Sequence, residues 1–275
     1  MFLGLPALAG TPDKVRRVVD GQVVVVSGAS RGIGRELARR LAGVGAQVVG
    51  IARASEDLAA TAAEITGRGG WFQPLAGDLR DLDWAQQAGR QIVDEYGAPA
   101  VLVSNAGHSI HRRLADYTGR FHDVTRTIGV NYLGAVGLAL PVVRAMMDQG
   151  RGHLVSVSTI SMDLPMPNWS VYTASKGAYD QWLKCISPEL KVAGVAATSI
   201  HFPRVSTAMS APTAGRYPFP ELTVGQAADV VCRCIVTRPR VAMPWWSRLT
   251  AAVSSAWPES IQRVWEIALR AGARP

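Results

Sequence analysis

QVVVVSGASRGIG, residues 22–34, decides the fold. Four consecutive valines are more than a half-exposed strand can use. They suit a strand buried on both faces, as in a parallel sheet. Glycines at 28, 32 and 34 follow at once, and a helical pattern then runs from about 33 to 44. Strand, glycine-rich turn and helix in that order build an anion cradle. Glycine tolerates the dihedrals of the turn and lets phosphate oxygens approach the backbone. The helix behind it aims free N–H groups and its positive dipole end at the anion. The G-x-x-x-G-x-G spacing differs from the G-x-G-x-x-G of many dinucleotide folds.

The same alternation continues outward. AQVVGIA (46–52), WFQPLAGD (71–78), PAVLVSNAG (99–107), GHLVSVS (152–158) and VAATSIHF (195–202) read as further strands. Helical patterns separate them at 55–65, 83–96, 121–149 and 170–190. Unbroken β–α alternation predicts an α/β fold with one doubly wound parallel sheet, helices on both faces. The 275 residues read as one domain. Within it, 1–20 is an N-terminal extension, 203–222 a Pro/Ser/Thr-rich substrate loop or lid, and 244–275 a Trp-bearing tail. A helix over 224–237 and a short strand near 240–243 precede that tail.

Composition narrows the function. Hydrophobic residues make up 48%, enough for a sizeable core. The most apolar stretch, Ile128 to Met147, contains Asn131, Pro141 and Arg144, which argues against a membrane span. MFLGLPALAG at the start lacks the basic region of a signal peptide. Cys185, Cys232 and Cys234 have neither disulfide nor metal spacing. A cytoplasmic location is expected, with no metal. The net charge of +8 raises nucleic acid as a partner. The arginines are scattered, however, with no run longer than two, so nucleic acid is set aside. A polyanionic cofactor or an acyl carrier uses the same charge.

The end of the second strand selects the cofactor. A carboxylate there bonds the adenosine ribose and repels a 2′-phosphate. Ala52 and Arg53 stand there instead, with Arg31 in the glycine turn. Two guanidiniums and no carboxylate favour NADP(H). Asp78 either accepts from the adenine amino group or caps the next helix.

VYTASKGAYD, residues 171–180, carries the chemistry. Of the 29 basic residues only Lys14, Lys176, Lys184 and Lys191 are lysine, and Lys176 stands four after Tyr172. On a helix the two share a face. A phenol has a pKa of roughly 10, and a nearby cation is expected to lower it toward acid–base use. A compact ammonium suits this and keeps protons for a ribose. A surface Tyr–Lys pair is the bland alternative.

SGASRGIG, SNAG (104–107), Asn131 in GVNYLG, SVST (156–159) and YTASK (172–176) together resemble the short-chain dehydrogenase/reductase family over about residues 20–240. The resemblance implies a Rossmann-like sheet of about seven strands and hydride transfer between a nicotinamide and a carbonyl or alcohol. It implies that Tyr172 donates the proton and that Lys176 tunes it and holds the ribose. Asn131 anchors a water, and Asn105 supports the central strand. Cofactor contacts fall on Gly28, Ser30, Arg31, Gly32, Ile33 and Gly34, on Arg53, Asp78 and Leu79, and on Asn105, Ala106 and Gly107. Tyr172, Lys176, Pro203, Val205 and Thr207 complete them. The substrate-orienting hydroxyl stands thirteen residues before the Tyr, which is Thr159; a shift of one gives Ser158. PRVSTAM (203–209) departs from the family's P-G-x-x-x-T, since Arg204 replaces the glycine. NAGHSIHRR, FHDVTRTIGVNYLGAV and PRVSTAMSAPT resemble an acyl-CoA-reductase-like branch common in actinobacteria, which implies a long, apolar acyl or ketone substrate, carrier- or CoA-linked.

Smaller features stay open. His108 either touches substrate or serves its loop. The tail, with Trp245, Trp246, Trp257 and Trp265, packs on the domain or a dimer interface, covers the substrate, or meets a membrane surface. Three functions remain: an NADPH-dependent ketone or acyl reductase, an alcohol dehydrogenase of specialised metabolism, or a non-catalytic cofactor-binding subunit. The expected assembly is a homo-dimer or homo-tetramer.

Overall fold

A computed structural model describes residues 10–53, 55–164, 166–214 and 220–271. In chain order its strands are β1 (Val23–Ser27), β2 (Gln47–Ala52), β3 (Trp71–Ala76), β4 (Val101–Ser104), β5 (Gly152–Thr159), β6 (Val195–Phe202) and β7 (Val241–Ala242). The helices are α1 (Pro12–Val19), α2 (Gly32–Gly43), α3 (Ser55–Thr66), α4 (Leu82–Tyr96), α5 (Phe121–Ile128), α6 (Gly134–Gln149), α7 (Ser170–Val192), α8 (Val224–Thr237), α9 (Trp245–Ala256) and α10 (Pro258–Arg270).

All seven strands are parallel, in the order β3-β2-β1-β4-β5-β6-β7. The predicted doubly wound sheet is therefore the observed one. Alternate residues of β1 supply two cores. Val24 and Val26 pack with Leu37, Leu41, Leu58 and Val231 from α2, α3 and α8. Val25 packs with Ile92, Leu138, Val142 and Leu183 from α4, α6 and α7. This is why the valine run has no polar member: neither face meets water. Strand order reverses between β1 and β4, and a crevice opens there beyond the strands' carboxyl ends.

Three elements differ from expectation. The N-terminal extension contains α1, whose Val15 and Val19 are buried in the first of these cores. The fourth strand stops at Ser104 instead of running to 107, because the amides of Asn105 and Ala106 turn to the Ser27 hydroxyl. The helix expected over 121–149 is interrupted by a π-helical turn, Gly129–Leu133, that contains Asn131. By length and apolarity the 121–149 segment could cross a membrane, but half of its most apolar window is buried in the protein. The Trp-bearing tail holds two helices, α9 and α10. Residues 1–9 of the extension, 215–219 of the substrate loop and 272–275 of the tail lie outside the described residues.

Candidate active site

A cavity of about 930 Å³ occupies the crevice, and most of the expected residues meet in it. Its floor is the turn from β1 to α2. Gly28 and Gly32 have φ of +72° and +53°, which side chains disfavour. A Cβ on Gly34 would stand 2.1 Å from the Gly28 carbonyl oxygen. The turn therefore closes tightly on α2, and Ser30, Arg31, Gly32 and Ile33 line the space above it. The Asn105 amide donates to the carbonyls of Ser27 (2.9 Å) and Gly28 (3.3 Å), tying β4 to the cradle. Thr207 reaches in from the far side: its Cγ2 lies 3.4 Å from where a Gly32 Cβ would stand.

The adenosine end is more constrained than expected. Arg31 forms an ion pair with Asp57 of α3, so its charge is already compensated. Arg53 is exposed at the end of β2, and its charge helps to hold the Asp78 carboxyl low. Asp78 does not cap α4; Asp81 does, accepting from the Trp84 amide at 3.0 Å. Asp78 instead accepts from Arg80, from Nε at 2.8 Å and from the backbone N–H at 3.0 Å. Burial raises its pKa, but these Arg80 bonds outweigh that and hold it below the usual value. Leu79 and Arg53 line the same end.

Asn131 is buried in the π-turn, and its side chain is fully engaged as a donor. Oδ1 accepts from the His108 amide at 2.7 Å, and Nδ2 donates to the His108 carbonyl (2.9 Å) and Ser175 Oγ (2.8 Å). The Asn131 side chain thus clamps the His108 peptide. His108 contacts Thr127 Oγ1 at 3.2 Å and lines the cavity, and burial and the Arg126 charge lower its pKa.

Tyr172 and Lys176 project from the first turns of α7 into the cavity with Thr159 opposite. The Thr159 hydroxyl lies close enough to the Tyr172 phenol to favour its ionised form. Its own Oγ1 accepts from the Ser161 amide at 3.2 Å, which starts a short 3₁₀ turn and fixes the hydroxyl. Ser158 donates to Met162 Sδ at 3.4 Å. The acid–base expectation needs correction. Burial pushes the Tyr172 phenol up to about 12, opposed by the Thr159 hydroxyl, and pushes Lys176 down to about 8. Lys176 Nζ donates to the Val157 carbonyl at 2.9 Å.

The outer part of the cavity is apolar, with Ile160, Met166, Trp169, Ala208 and Met209 in its wall. Trp169 packs on Tyr172 with ring centroids 5.6 Å apart, and on His111 at 4.9 Å. Arg204, in place of the expected glycine, pairs with Glu221 and donates to the Ser210 carbonyl at 2.9 Å. Val205 bridges Leu222 at the base of the same loop. Pro203 and Val205 line the cavity.

Behind the site lies a buried network that sequence reading missed. His201 Nδ1 meets Asp163 Oδ2 at 2.7 Å, and its Nε2 meets Asp180 Oδ1 at 3.3 Å and Ser199 Oγ at 3.1 Å. Asp180 also accepts from Ser199 (2.5 Å) and Lys184 (2.7 Å). Burial lowers the imidazole pKa, but the two carboxylates prevail and raise it to about 9. The network ties the segment after Thr159 to the helix that carries Tyr172. The spacing Tyr172, Lys176, Asp180, Lys184 was a visible signal: one stripe at i, i+4.

Known proteins resemble this chain. The model of the short chain dehydrogenase family matches residues 22–217. A fatty acyl-CoA reductase of Acinetobacter baylyi is 35% identical over 244 residues, 89% of this chain and 83% of that relative. A fatty acyl-CoA reductase of Mycobacterium tuberculosis is 34% identical over 250 residues, 90% of this chain and 83% of that relative. A metagenomic short-chain oxidoreductase solved in complex with NADP superposes with a TM-score of 0.71 at 27% identity, covering 82% of this chain and 98% of that one.

Proposed function

The chain belongs to the short chain dehydrogenase family, and from that premise we propose that it is an NADPH-dependent reductase of a ketone or acyl carbonyl on a long apolar substrate. One observation carries the reading. The Thr159–Tyr172 hydroxyl pair, the buried Lys176 and the glycine cradle face one cavity whose outer wall is apolar. The cradle fits a dinucleotide phosphate, since Gly28, Gly32 and Gly34 leave backbone where side chains would stand. Arg53, exposed at the adenosine end, suits a 2′-phosphate.

The nicotinamide supplies the hydride when bound. The chain's own residues position the carbonyl and deliver a proton. Thr159 orients the substrate oxygen, held by its bond to the Ser161 amide. Tyr172 hydrogen-bonds the same oxygen. A phenol with its pKa near 12 keeps its proton at neutral pH and releases it to the much more basic alkoxide that develops. Lys176 stabilises the phenolate left behind and is close enough to Gly107 to meet a ribose over it: its Nζ is 3.4 Å from a Cβ built there. Trp169, Met166 and Met209 exclude water and receive an alkyl chain. The relatives named fatty acyl-CoA reductases support an acyl thioester as substrate.

The test is cofactor oxidation, read by absorbance, with NADPH and NADH against long- and short-chain acyl-CoAs, aldehydes and ketones. The reading expects NADPH preference and rates that rise with chain length. NADH preference, or rates indifferent to chain length, would overturn it.

A further inference from the structure

The 3₁₀ turn Ile160–Met162, which fixes the Thr159 hydroxyl, is held at both ends. At the near end Ser161 Oγ meets Thr159 Oγ1 at 3.1 Å and accepts from Thr173 Oγ1 of α7 at 3.3 Å. At the far end the amides of Asp163 and Leu164 donate to the Ile160 carbonyl, at 2.9 and 3.1 Å. There the Asp163 carboxylate also accepts from His201 Nδ1 at 2.7 Å. His201 stands on β6 directly beside Ser158 of β5, one residue short of Thr159. Asp180 and Ser199 meet the other ring nitrogen and fix the ring plane. The His201 side chain is buried, and burial works against its charge. Asp163 and Asp180 nonetheless hold its pKa up at about 9, so both ring nitrogens donate at neutral pH. A charge-assisted bond of this kind is the strong sort, and it joins the turn to the sheet.

We propose that His201 is a positioning residue for the reaction: through Asp163 it anchors the turn that aims the Thr159 hydroxyl at the substrate oxygen. The role rests on the proposed orienting of that oxygen by Thr159 and deepens it. His201, Asp163 and Asp180 do not line the cavity, so each acts only through what it holds. Ser161 does line it, which puts the anchored turn in the cavity wall. Rate is steep in such placement: a shift of about 1 Å can cost about 100-fold. The phosphate cradle is built from β1 and α2, away from this anchor, so cofactor binding supplies the contrast.

The test compares His201→Gln and Asp163→Ala with the wild type, and repeats His201→Gln in a Thr159→Val background. Gln places its amide nitrogen where Nε2 stood and leaves Asp163 without a donor; Asp163→Ala removes the same bond from the turn side. Turnover is measured with NADPH on long-chain acyl-CoAs, aldehydes and ketones, NADPH binding by calorimetry, and the Asp163 and Leu164 amides by hydrogen exchange. Both single variants are expected to lose about 10- to 100-fold in kcat, with the Kd for NADPH unchanged. Exchange at the two amides should rise by at least about tenfold. In the Thr159→Val background His201→Gln should change kcat by less than about twofold, because the hydroxyl it positions is gone. His201→Asn, whose amide nitrogen stands where Nδ1 stood, keeps the Asp163 bond and should recover most of the rate. Unchanged kcat or unchanged exchange in both single variants overturns the proposal. So does an equal loss of kcat with and without the Thr159 hydroxyl, or a loss of NADPH binding that parallels kcat. Thr159→Val alone tests the reading beneath it: wild-type kcat there defeats both, whereas a large loss there with His201→Gln unaffected defeats the anchor alone.

Discussion

The buried His201 network makes a quantitative claim about pH. Its imidazole stands between Asp163 and Asp180, with Lys184 and Ser199 completing the shell around Asp180. With His201 protonated, two carboxylates face two cations, and the cluster is neutral. Loss of that proton leaves an uncompensated buried negative charge. The imidazole pKa rises from the usual 6.5 to about 9 on folding. A group raised in this way stabilises the fold fully below its unfolded pKa, and the contribution disappears as pH climbs through the folded value. From 6.5 to about 9 the conversion gives about 3 kcal/mol. Asp180 works in the opposite sense: its carboxyl is depressed despite burial, so its share is lost only as pH falls below the usual 3.8. Urea titrations of the wild type and of His201→Gln at about pH 6 and about pH 10 compare the fold with and without the imidazole, since every titration outside this cluster is common to both. The wild type should lose about 3 kcal/mol more than the variant between those conditions. Equal losses would refute the reasoning and show that His201 is neutral in the fold.

Further outcomes follow from the site. Thr159→Val deletes the hydroxyl that stands opposite Tyr172 and should lower kcat by about 10²–10³, whereas Ser158→Ala removes only a contact to Met162 and should be mild; the reverse ranking in steady-state kinetics would reassign the role. Arg53→Ala should weaken NADPH by more than about tenfold and leave NADH nearly untouched, since a charge-assisted bond is worth about 1.5–3 kcal/mol; equal changes in the two Kd values would give Arg53 a structural role. Gly34→Ala forces a methyl to within 2.1 Å of the Gly28 carbonyl. It should cost about 1–3 kcal/mol of stability and weaken NADPH in calorimetry, and a neutral effect would mean that the cradle is looser than described.

Much of the fold was legible because burial on both faces leaves a mark in sequence. Val23–Val26, Val48–Val49 and Val101–Val103 could sit only in a central parallel sheet, and the turn glycines marked where the crevice opens. What escaped depends on partners distant in the chain. Strand β4 ends early because Ser27, far upstream, captures two of the following amides. Arg31 looked available to a phosphate, but Asp57 lies beside it once α3 folds back on β2. The π-turn at Asn131 keeps the side-chain pattern of an ordinary helix, so periodicity does not register it. The Tyr172–Lys176 pair was visible by spacing, while the direction of the phenol's shift was not: burial sets it, and burial is a property of the assembled cavity. The His201 network likewise joins three elements that no local pattern connects.

The central claim is that Tyr172 delivers the proton while the cradle holds the cofactor independently of it. Tyr172→Phe separates the two, since the ring and its packing on Trp169 remain while the hydroxyl is removed. Turnover with NADPH and a long-chain carbonyl substrate should fall by at least about 100-fold with the Kd for NADPH nearly unchanged. A variant that keeps more than about a tenth of wild-type turnover would contradict the account.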